Sequence, residues 1–210
     1  ILGGGPIGCE LGQAFQRLGS QVSLIHKNET LLNREEPEAQ EVIQNQFAKD
    51  GMQFFVNSQL RQVKYEREHF VLSIQTLNEP VLKTIEAECL FISAGRRPNV
   101  SSLNLEAAGV QYTDSGIPVD DYGRTNIPHI WAVGDVIGSP FFTHLAENQA
   151  RAVLTSLLLP SFLKKKWSKQ PIPRVTFTDP EVASVGLSEK EALRLYPHDS
   201  LAVYVVPMSS

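Results

Sequence analysis

Cysteine, methionine and tryptophan are rare in this chain, which has two of each among its 210 residues. Cys9 and Cys89 lie too far apart for a CxxC motif, and we expect both to be reduced, buried thiols of the kind that a reducing compartment leaves. The five histidines form no HxxxH pair. The sequence therefore indicates no metal site and no redox cysteine pair of its own.

The chain also lacks an excess of positive charge and any long apolar run. Its formal net charge of −4 and its isoelectric point near 5.8 argue against nucleic acid as a partner. No stretch approaches the roughly 18 apolar residues that a membrane span needs, and the first residues do not resemble a signal peptide. We expect a soluble, cytoplasmic protein whose 42% hydrophobic residues build a sizeable core.

The two ends of the sequence are informative. Only Ile1 and Leu2 precede the first glycines, although a strand usually has about five or six residues. Leu201 to Pro207 has the alternating, β-branched character of a strand, and nothing follows that could pair with it or cover it. We therefore interpret the chain as a fragment at both ends.

The first part of the chain alternates strand and helix signals. After the glycines, the pattern predicts a helix from about Pro6 to Leu18 and a strand over Gln21 to His26. A second helix over Glu36 to Asp50 and a strand over Met52 to Val56 follow. This order predicts a parallel sheet.

Alternating, charged runs come next. Leu60 to Tyr65, Phe70 to Thr76 and Val81 to Ile85 predict an antiparallel meander in place of a crossover helix. The apolar run Cys89 to Ser93 is predicted to return to the buried sheet. The expected fold class is therefore α/β, with a Rossmann-type parallel sheet and an antiparallel meander.

The rest of the chain divides into two parts. From about Gly95 to Pro160, turn-rich sequence surrounds one predicted buried strand, Ile130 to Val133, and one helix, about His144 to Leu158. The proline- and lysine-containing stretch from Pro160 to Pro173 is typical of a linker. Arg174 to Tyr204 then predicts strand, strand, helix and strand, the start of a third unit.

A glycine-rich turn carries the first chemical signal. Gly3, Gly5 and Gly8 form GxGxxG between a strand and a helix, with Ile7 inside the motif. The first glycine permits the tight turn, the second lets a pyrophosphate approach the backbone, and the third lets the helix pack close to the sheet. The helix N-terminus adds free N–H groups and positive potential. This arrangement predicts a dinucleotide site.

The end of the second strand indicates which nucleotide binds. A site specific for NAD has Asp or Glu there to hold the ribose 2′-hydroxyl. Here the position is His26, followed by Lys27 and then by Arg34, and these cations favour a 2′-phosphate. The alternative is that all three are solvated loop cations, because Glu29 lies among them. The sequence thus favours NADP over NAD.

A second signal is the segment Thr125 to Asp135, which has a polar start, a short apolar strand and a Gly-Asp end. A carboxylate held at the end of a buried strand can accept hydrogen bonds from a sugar-like hydroxyl, and Gly134 leaves space for it. As an isolated Gly-Asp pair it would be a turn.

Together these segments resemble the pyridine nucleotide-disulphide oxidoreductases, most closely the mercuric reductase-like and dihydrolipoamide dehydrogenase-like members. The resemblance covers the whole chain in order and spacing. It rests on the glycine motif with Glu10, on Ser93 to Asn99, Leu105 to Val110, Thr125 to Asp135 and Phe177 to Glu181 with Val185 to Leu187, and on Arg34 to Pro37 and Phe142 to His144.

The resemblance implies a domain layout and a reaction. Residues 1–95 would be the NAD(P)-binding domain, 96–165 the C-terminal segment of an FAD-binding domain, and 166–210 the start of an α+β dimerisation domain. NAD(P)H would give hydride to FAD, and the reduced flavin would reduce a cysteine disulphide that serves a small-molecule or disulphide substrate. The intact protein is expected to be a homodimer.

The resemblance also implies roles for single residues. Asp135 would hold the FAD ribitol, and Thr143 would offer its backbone N–H to the flavin. Glu10 matches a glutamate that pairs with a lysine beside the flavin, and otherwise would be a solvated glutamate in the first helical turn. Gly95 and Arg96 match a loop near the nicotinamide nucleotide.

The sequence departs from the family in places that matter. Pro6 replaces an aromatic residue that gates the nicotinamide pocket in some members, and His26 and Lys27 depart from the acidic pattern of the NADH-using dehydrogenases. The first FAD motif, the redox cysteine pair and the C-terminal His-Glu dyad are absent, so no catalytic residue is assigned. Two alternatives stay open: an NADH-linked dihydrolipoamide dehydrogenase-like enzyme, and a non-catalytic dinucleotide-binding module.

Overall fold

The computed structural model describes residues 1–77, 81–160, 166–167 and 171–206. The chain forms two compact units. The first unit comprises Ile1–Gly95 together with Pro173–Ser210, and the second comprises Arg96–Ile172. Each unit is described by itself.

The described residues contain four α-helices and seven strands. The helices are α1 (Pro6–Arg17), α2 (Pro37–Lys49), α3 (Thr143–Leu158) and α4 (Glu189–Leu195). The strands are β1 (Ser23–Ile25), β2 (Gln53–Phe55), β3 (Ser58–Glu66), β4 (His69–Thr76), β5 (Leu82–Ala87), β6 (Pro173–Thr176) and β7 (Val182–Val185). Short 3₁₀ helices cover Leu105–Ala108, Gly134–Ile137 and His198–Ser200.

The parallel sheet predicted for the first unit is confirmed. Strand β1 pairs in parallel with β2, and Leu2 bridges in parallel to both Ile25 and Ile92. Both helices of this region begin on a proline, Pro6 and Pro37, which fits the first helical turn because proline has no N–H group to satisfy there. The alternation of strand and helix therefore places the end of β1 beside the glycine turn.

The antiparallel meander is confirmed as well. Strands β3, β4 and β5 pair in that order, with one register irregularity between Leu60 and Gln62. Ile74 of β4 is fully buried and Leu72 nearly so, and both pack in a cluster with Ile25 of β1. The meander therefore supports the parallel sheet from one side.

The main core of the first unit lies under the two helices. Its largest fully buried side chains are Phe47 and Ile43 of α2, Leu24 of β1, and Leu31 in the loop between them. The second unit has a separate small core of buried residues: Val100, Val110, Ile117 and Ala132. Among the described helices, none is long and apolar enough to cross a membrane.

The C-terminal part of the first unit is an antiparallel hairpin followed by a short helix. Strand β6 pairs with β7. Helix α4 begins with a capping box, in which the Ser188 side chain accepts the N–H of Glu191 and the Glu191 side chain accepts the N–H of Ser188. The predicted order of strand, strand and helix is confirmed.

Two predicted strands are wrong. Ile130 to Val133 forms no strand. The segment around it is a tight turn, in which Thr125 N–H binds the Ile130 carbonyl and one isolated bridge joins Arg124 to Trp131. Leu201 to Val206 is not a strand either, because no described segment pairs with it. Pro207 lies outside the described residues.

Two expectations about burial also need correction. Cys9 is buried as predicted, but Cys89 is exposed, because it follows the outer strand of the meander rather than lying inside the sheet. The run from Cys89 to Ser93 touches the parallel sheet at the Leu2–Ile92 bridge, yet Ile92 is 66% exposed. Most of the predicted linker, residues 161–165 and 168–170, lies outside the described part of the chain.

We expect Phe47→Ala to lower the free energy of unfolding by about 3 to 5 kcal/mol, because it leaves a cavity where a large side chain is fully buried. Val42→Ala is the matched control on the same helix. The Val42 side chain is 51% exposed, so its loss should change stability by about 0.5 kcal/mol or less. Urea unfolding followed by circular dichroism measures both, and equal losses would contradict the core position of Phe47.

Candidate functional site

Two glycines of the turn, Gly3 and Gly8, lie so close to neighbouring backbone that neither position has room for a side chain. Gly3 has φ +111°, and a Cβ there would collide with the carbonyl of Ser93. A Cβ on Gly8 would overlap the Gly3 carbonyl oxygen, because the first turn of α1 lies directly against the backbone at Gly3. The sequence predicts both requirements from the spacing of the motif.

Gly5 differs from its neighbours because its side-chain position is open. An ideal Cβ at Gly5 would meet no atom within 4 Å, and its backbone, with φ −82° and ψ −176°, would accept any residue. Gly5 is the N-cap of α1 and supplies no side chain to bind the first N–H groups of the helix. Open space beside uncapped N–H groups suits an anion such as a pyrophosphate. Ile7, two residues after Gly5 in the first turn of α1, is 36% exposed.

Ser93 fixes the turn from the neighbouring chain segment. Its hydroxyl lies 3.0 Å from the Leu2 carbonyl oxygen and 2.9 Å from that of Gly3, within donating distance of both. The Ser93 N–H also donates to the Leu2 carbonyl at 2.8 Å. The sequence identifies Ser93 only as the start of the segment Ser93 to Asn99, which carries part of the family resemblance, and does not indicate this contact.

The His26 side chain points into the protein and not toward solvent. Its side chain is only 8% exposed, and its Nδ1 accepts the Gly4 N–H at 3.1 Å, which requires a lone pair on that nitrogen. Burial lowers the pKa of His26; a hydrogen bond with the Asn33 side chain opposes this shift, and the charge of the adjacent Lys27 adds to it. His26 is therefore neutral at pH 7 and stabilises the glycine turn, whereas sequence reasoning counted it as a cation.

Lys27 and Arg34 remain exposed on the loop that follows β1. The loop is fixed between them. Leu31 and Leu32 are buried, and the Leu32 N–H donates to the Gly4 carbonyl at 2.8 Å. The two predicted cations thus project from a loop that is bonded to the glycine turn.

Glu10 accepts a hydrogen bond from the backbone of the C-terminal hairpin. Its Oε1 lies 2.9 Å from the N–H of Phe177. The glutamate is therefore neither simply solvated nor paired with a lysine of the described chain. Gly95, at the end of the same unit, has φ +131° and open space around its Cβ position.

Cys9, the residue before Glu10 in α1, is an unreactive thiol. It is fully buried and lies 3.5 Å from the Gly4 carbonyl. Burial raises the pKa of the thiol to about 12, and the nearby carboxylate of Glu10 adds to the rise. A thiol of this kind is not a nucleophile at neutral pH.

The second unit carries Asp135 in the short 3₁₀ helix before α3. Its carboxylate is 56% exposed, and Oδ2 lies 3.8 Å from Nη1 of Arg96. Gly134, with φ +74°, donates its N–H to Oε1 of Gln149 at 2.8 Å. Two residues that sequence reasoning assigned to different nucleotides, Arg96 and Asp135, therefore form an ion pair.

Gln149 is a supporting residue that sequence reasoning missed. It is only 8% exposed and holds the Gly-Asp turn against α3. Its spacing could have indicated that it is buried. Gln149 lies four residues after Leu145 and four before Val153, on the helix face that these apolar residues define.

Thr143 is the first residue of α3, one residue before the predicted start. Its helix has no side-chain cap, and Phe142 precedes it as the N-cap. The ring of Phe142 stacks on that of His144 with centroids 5.3 Å apart. The uncapped N–H groups of this first turn give Thr143 the geometry to donate to an acceptor group of a ligand.

We expect the stability of the protein to fall as the pH drops below about 6.5, the ordinary pKa of histidine. The pKa of His26 is lowered in the fold, so its contribution is complete above the unfolded value and declines as the pH falls toward the folded value. His26→Asn keeps an acceptor for Gly4 but does not titrate in this range. Its melting temperature should fall less between pH 7 and pH 5 than that of the wild type, and parallel curves would contradict this assignment.

Curated relatives cover nearly all of this chain. It is 33% identical over 196 residues to a dihydrolipoyl dehydrogenase of Bacillus subtilis, which covers 93% of this chain and 41% of that protein. It is 37% identical over 192 residues to a mercuric reductase of Streptomyces lividans, which covers 91% of this chain and 40% of that protein. The chain therefore spans less than half the length of these relatives.

A solved structure has the same fold. The chain superimposes on the HOCl-induced flavoprotein disulfide reductase RclA from Escherichia coli with a TM-score of 0.81 and 26% sequence identity. The match covers 92% of this chain and 43% of that one.

Family profiles match two segments of the chain. Residues 172–210 match the dimerisation domain of the pyridine nucleotide-disulphide oxidoreductases. Residues 1–150 match the pyridine nucleotide-disulphide oxidoreductase profile itself. The chain belongs to the pyridine nucleotide-disulphide oxidoreductase family.

Proposed function

We propose that this chain provides the nicotinamide-nucleotide site and one side of the FAD site of an NADPH-dependent disulphide oxidoreductase. The observation that carries the proposal is the contrast within the glycine turn. Gly3 and Gly8 are required by contacts inside the protein, but Gly5 faces open space at an uncapped helix start. Space kept free in this place serves a ligand rather than the fold.

The glycine turn would bind the pyrophosphate of the nucleotide. The first N–H groups of α1 donate to its oxygens, and the positive end of the helix favours its charge. His26 holds the Gly4 N–H, so that the turn keeps its shape before the nucleotide arrives. Preorganisation of this kind lowers the entropic cost of binding.

Lys27 and Arg34 would select NADPH. Both are exposed on the loop after β1, where a nucleotide in this type of site places its adenosine ribose. Neither position offers the carboxylate that would bind a 2′-hydroxyl and repel a 2′-phosphate. Because His26 is neutral and buried, two cations rather than three support this choice.

The burial of His26 also favours a second candidate, an NADH-linked enzyme similar to dihydrolipoyl dehydrogenase. The exposed charged side chains that follow His26 on the loop include a carboxylate, Glu29, close in sequence to Lys27. A carboxylate turned toward the ribose would bind the 2′-hydroxyl of NADH. The cofactor preference of the protein decides between the two candidates.

The second unit would hold the flavin. The residues present fit part of it: Asp135 offers a half-exposed carboxylate for sugar hydroxyls, and the uncapped first turn at Thr143 offers N–H groups for a ring carbonyl. Arg96 would release or share the Asp135 carboxylate. When bound, FAD accepts hydride from the nicotinamide and passes electrons on to a disulphide.

The proposed domain boundaries follow from these roles. Residues 1–95 would be the nucleotide domain, 96–165 the C-terminal segment of the flavin domain, and 166–210 the start of the dimerisation domain. Since residues 172–210 match the family's dimerisation domain, we propose that the protein acts as a homodimer.

We expect the purified protein to bind NADPH more tightly than NADH. One charge-assisted contact to the 2′-phosphate contributes about 1.5 to 3 kcal/mol, or roughly tenfold to a hundredfold in affinity. Lys27→Glu should reverse the preference, because it removes a cation and supplies an acceptor for the 2′-hydroxyl.

Titration with both cofactors, followed by the change in nucleotide fluorescence, measures the preference. Lys49→Glu, on the last residue of α2, is the control for a charge reversal outside the site. Equal or tighter binding of NADH to the wild type would reject NADPH as the cofactor and leave the dihydrolipoyl dehydrogenase-like candidate in its place.

A pair of glycine substitutions tests the site itself. Gly5→Ala should keep the melting temperature of the wild type but weaken nucleotide binding at least tenfold, because the added methyl group occupies the space proposed for the pyrophosphate. Gly8→Ala should lower the melting temperature, because its Cβ meets the Gly3 carbonyl. Calorimetric titration and thermal unfolding measure the two effects. Unchanged nucleotide affinity in Gly5→Ala would reject the dinucleotide site.

A further inference from the structure

Glu35 is a nearly buried carboxylate that joins the loop after β1 to the C-terminal hairpin. Its side chain is 8% exposed. Oε1 lies 3.0 Å from Nε of Arg174 on β6, and Oε2 accepts the hydroxyl of Ser184 on β7 at 2.8 Å. Both oxygens are therefore engaged by a segment about 140 to 150 positions later in the chain.

The same arginine also holds the backbone beside Glu35. Nη2 of Arg174 lies 3.4 Å from the carbonyl oxygen of Arg34. Arg34 is one of the two exposed cations of the loop, so Arg174 contacts the backbone of a residue that faces the proposed 2′-phosphate. The Glu35 N–H in turn donates to the Leu32 carbonyl at 2.8 Å, and Leu32 is bonded to Gly4.

A continuous set of contacts thus runs from the hairpin to the glycine turn. Every member is inside the first unit. An ion pair that is largely buried and also hydrogen-bonded restricts the geometry of its surroundings, because either partner left alone would be an unpaired charge with little access to water. Among the described residues, the side chains of Lys27 and Arg34 have no comparable ion pair.

We propose that Glu35, held by Arg174 and Ser184, is a positioning residue for nucleotide selection. It fixes the backbone at Arg34, and so sets the distance from the loop cations to the 2′-phosphate. The inference rests on the proposed function, since it concerns the same nucleotide site. It adds that selection between NADPH and NADH depends on the hairpin of the dimerisation segment and not only on the residues that touch the nucleotide.

The substitution Glu35→Gln distinguishes a positioning role of Glu35 from a direct effect of its charge on nucleotide affinity. The substitution removes a negative charge near the proposed phosphate, so electrostatics alone would tighten the binding of an anion. Positioning predicts the opposite, because glutamine loses the ion pair with Arg174 and releases the loop. We expect NADP⁺ to bind about fivefold to tenfold more weakly and NAD⁺, which lacks the 2′-phosphate, to change by less than about twofold.

Glu36→Gln is the matched control. It removes the same charge one residue later, but its amide oxygen can still accept the N–H of Glu189, which is the contact that Glu36 makes. NADP⁺ should bind to it as well as to the wild type or slightly better. Ser184→Ala changes no charge and removes one contact of Glu35, so it should give a smaller loss in the same direction.

Isothermal titration calorimetry of the purified protein with NADP⁺ and NAD⁺ measures these affinities without turnover. A wild type that binds neither nucleotide overturns the proposed function and this inference with it. A wild type that prefers NADP⁺, with Glu35→Gln unchanged or tighter for NADP⁺, overturns the inference alone. Equal weakening of both nucleotides also overturns it, because the loss would then not concern the 2′-phosphate. If Glu35→Gln does not fold, Ser184→Ala decides by the same criteria.

Discussion

The first unit of this protein depends on one close approach of backbone to backbone. The first turn of helix α1 packs so tightly on the preceding backbone that Gly8 lies against the Gly3 carbonyl with no room for a Cβ, and the Ser93 hydroxyl bonds the same carbonyl. Because the helix starts at this contact, its uncapped first turn and the open space at Gly5 are fixed relative to the sheet. The open space that we propose for an anion is therefore a consequence of how α1 packs on the neighbouring backbone.

Much of this arrangement is predictable because it is local in sequence. The spacing of Gly3, Gly5 and Gly8 predicts the turn, and the alternation that follows predicts the parallel strands and the meander. The start of α3 at Thr143 is predicted to within one residue. Each of these features depends on backbone conformation or periodicity, and neighbouring residues determine both.

The errors concern residues whose surroundings come from distant parts of the chain. His26 is a basic residue in a polar loop, but its ring is buried and its Nδ1 accepts the Gly4 N–H. Cys89 follows the outermost strand of the meander and is exposed, although its own run is apolar. Ile130 to Val133 has strand-like residues, yet a strand needs a partner and the surrounding chain forms a turn instead. Local composition cannot distinguish these cases, because partner and burial are tertiary properties.

The same reasoning explains why the supporting residues were missed. Gln13 is buried in α1, and its amide exchanges two hydrogen bonds with the backbone of Asp179, at 2.8 Å each. Arg17 binds the carboxylate of Asp179 from the next turn, and Glu35 binds Arg174 on the other side. In sequence these are ordinary polar residues on a helix and a loop. In the fold, the hairpin contacts both α1, whose first turn is the proposed pyrophosphate site, and the loop that carries Lys27 and Arg34. The two parts of the proposed nucleotide site thus share one support, and a change in the hairpin would alter both parts together.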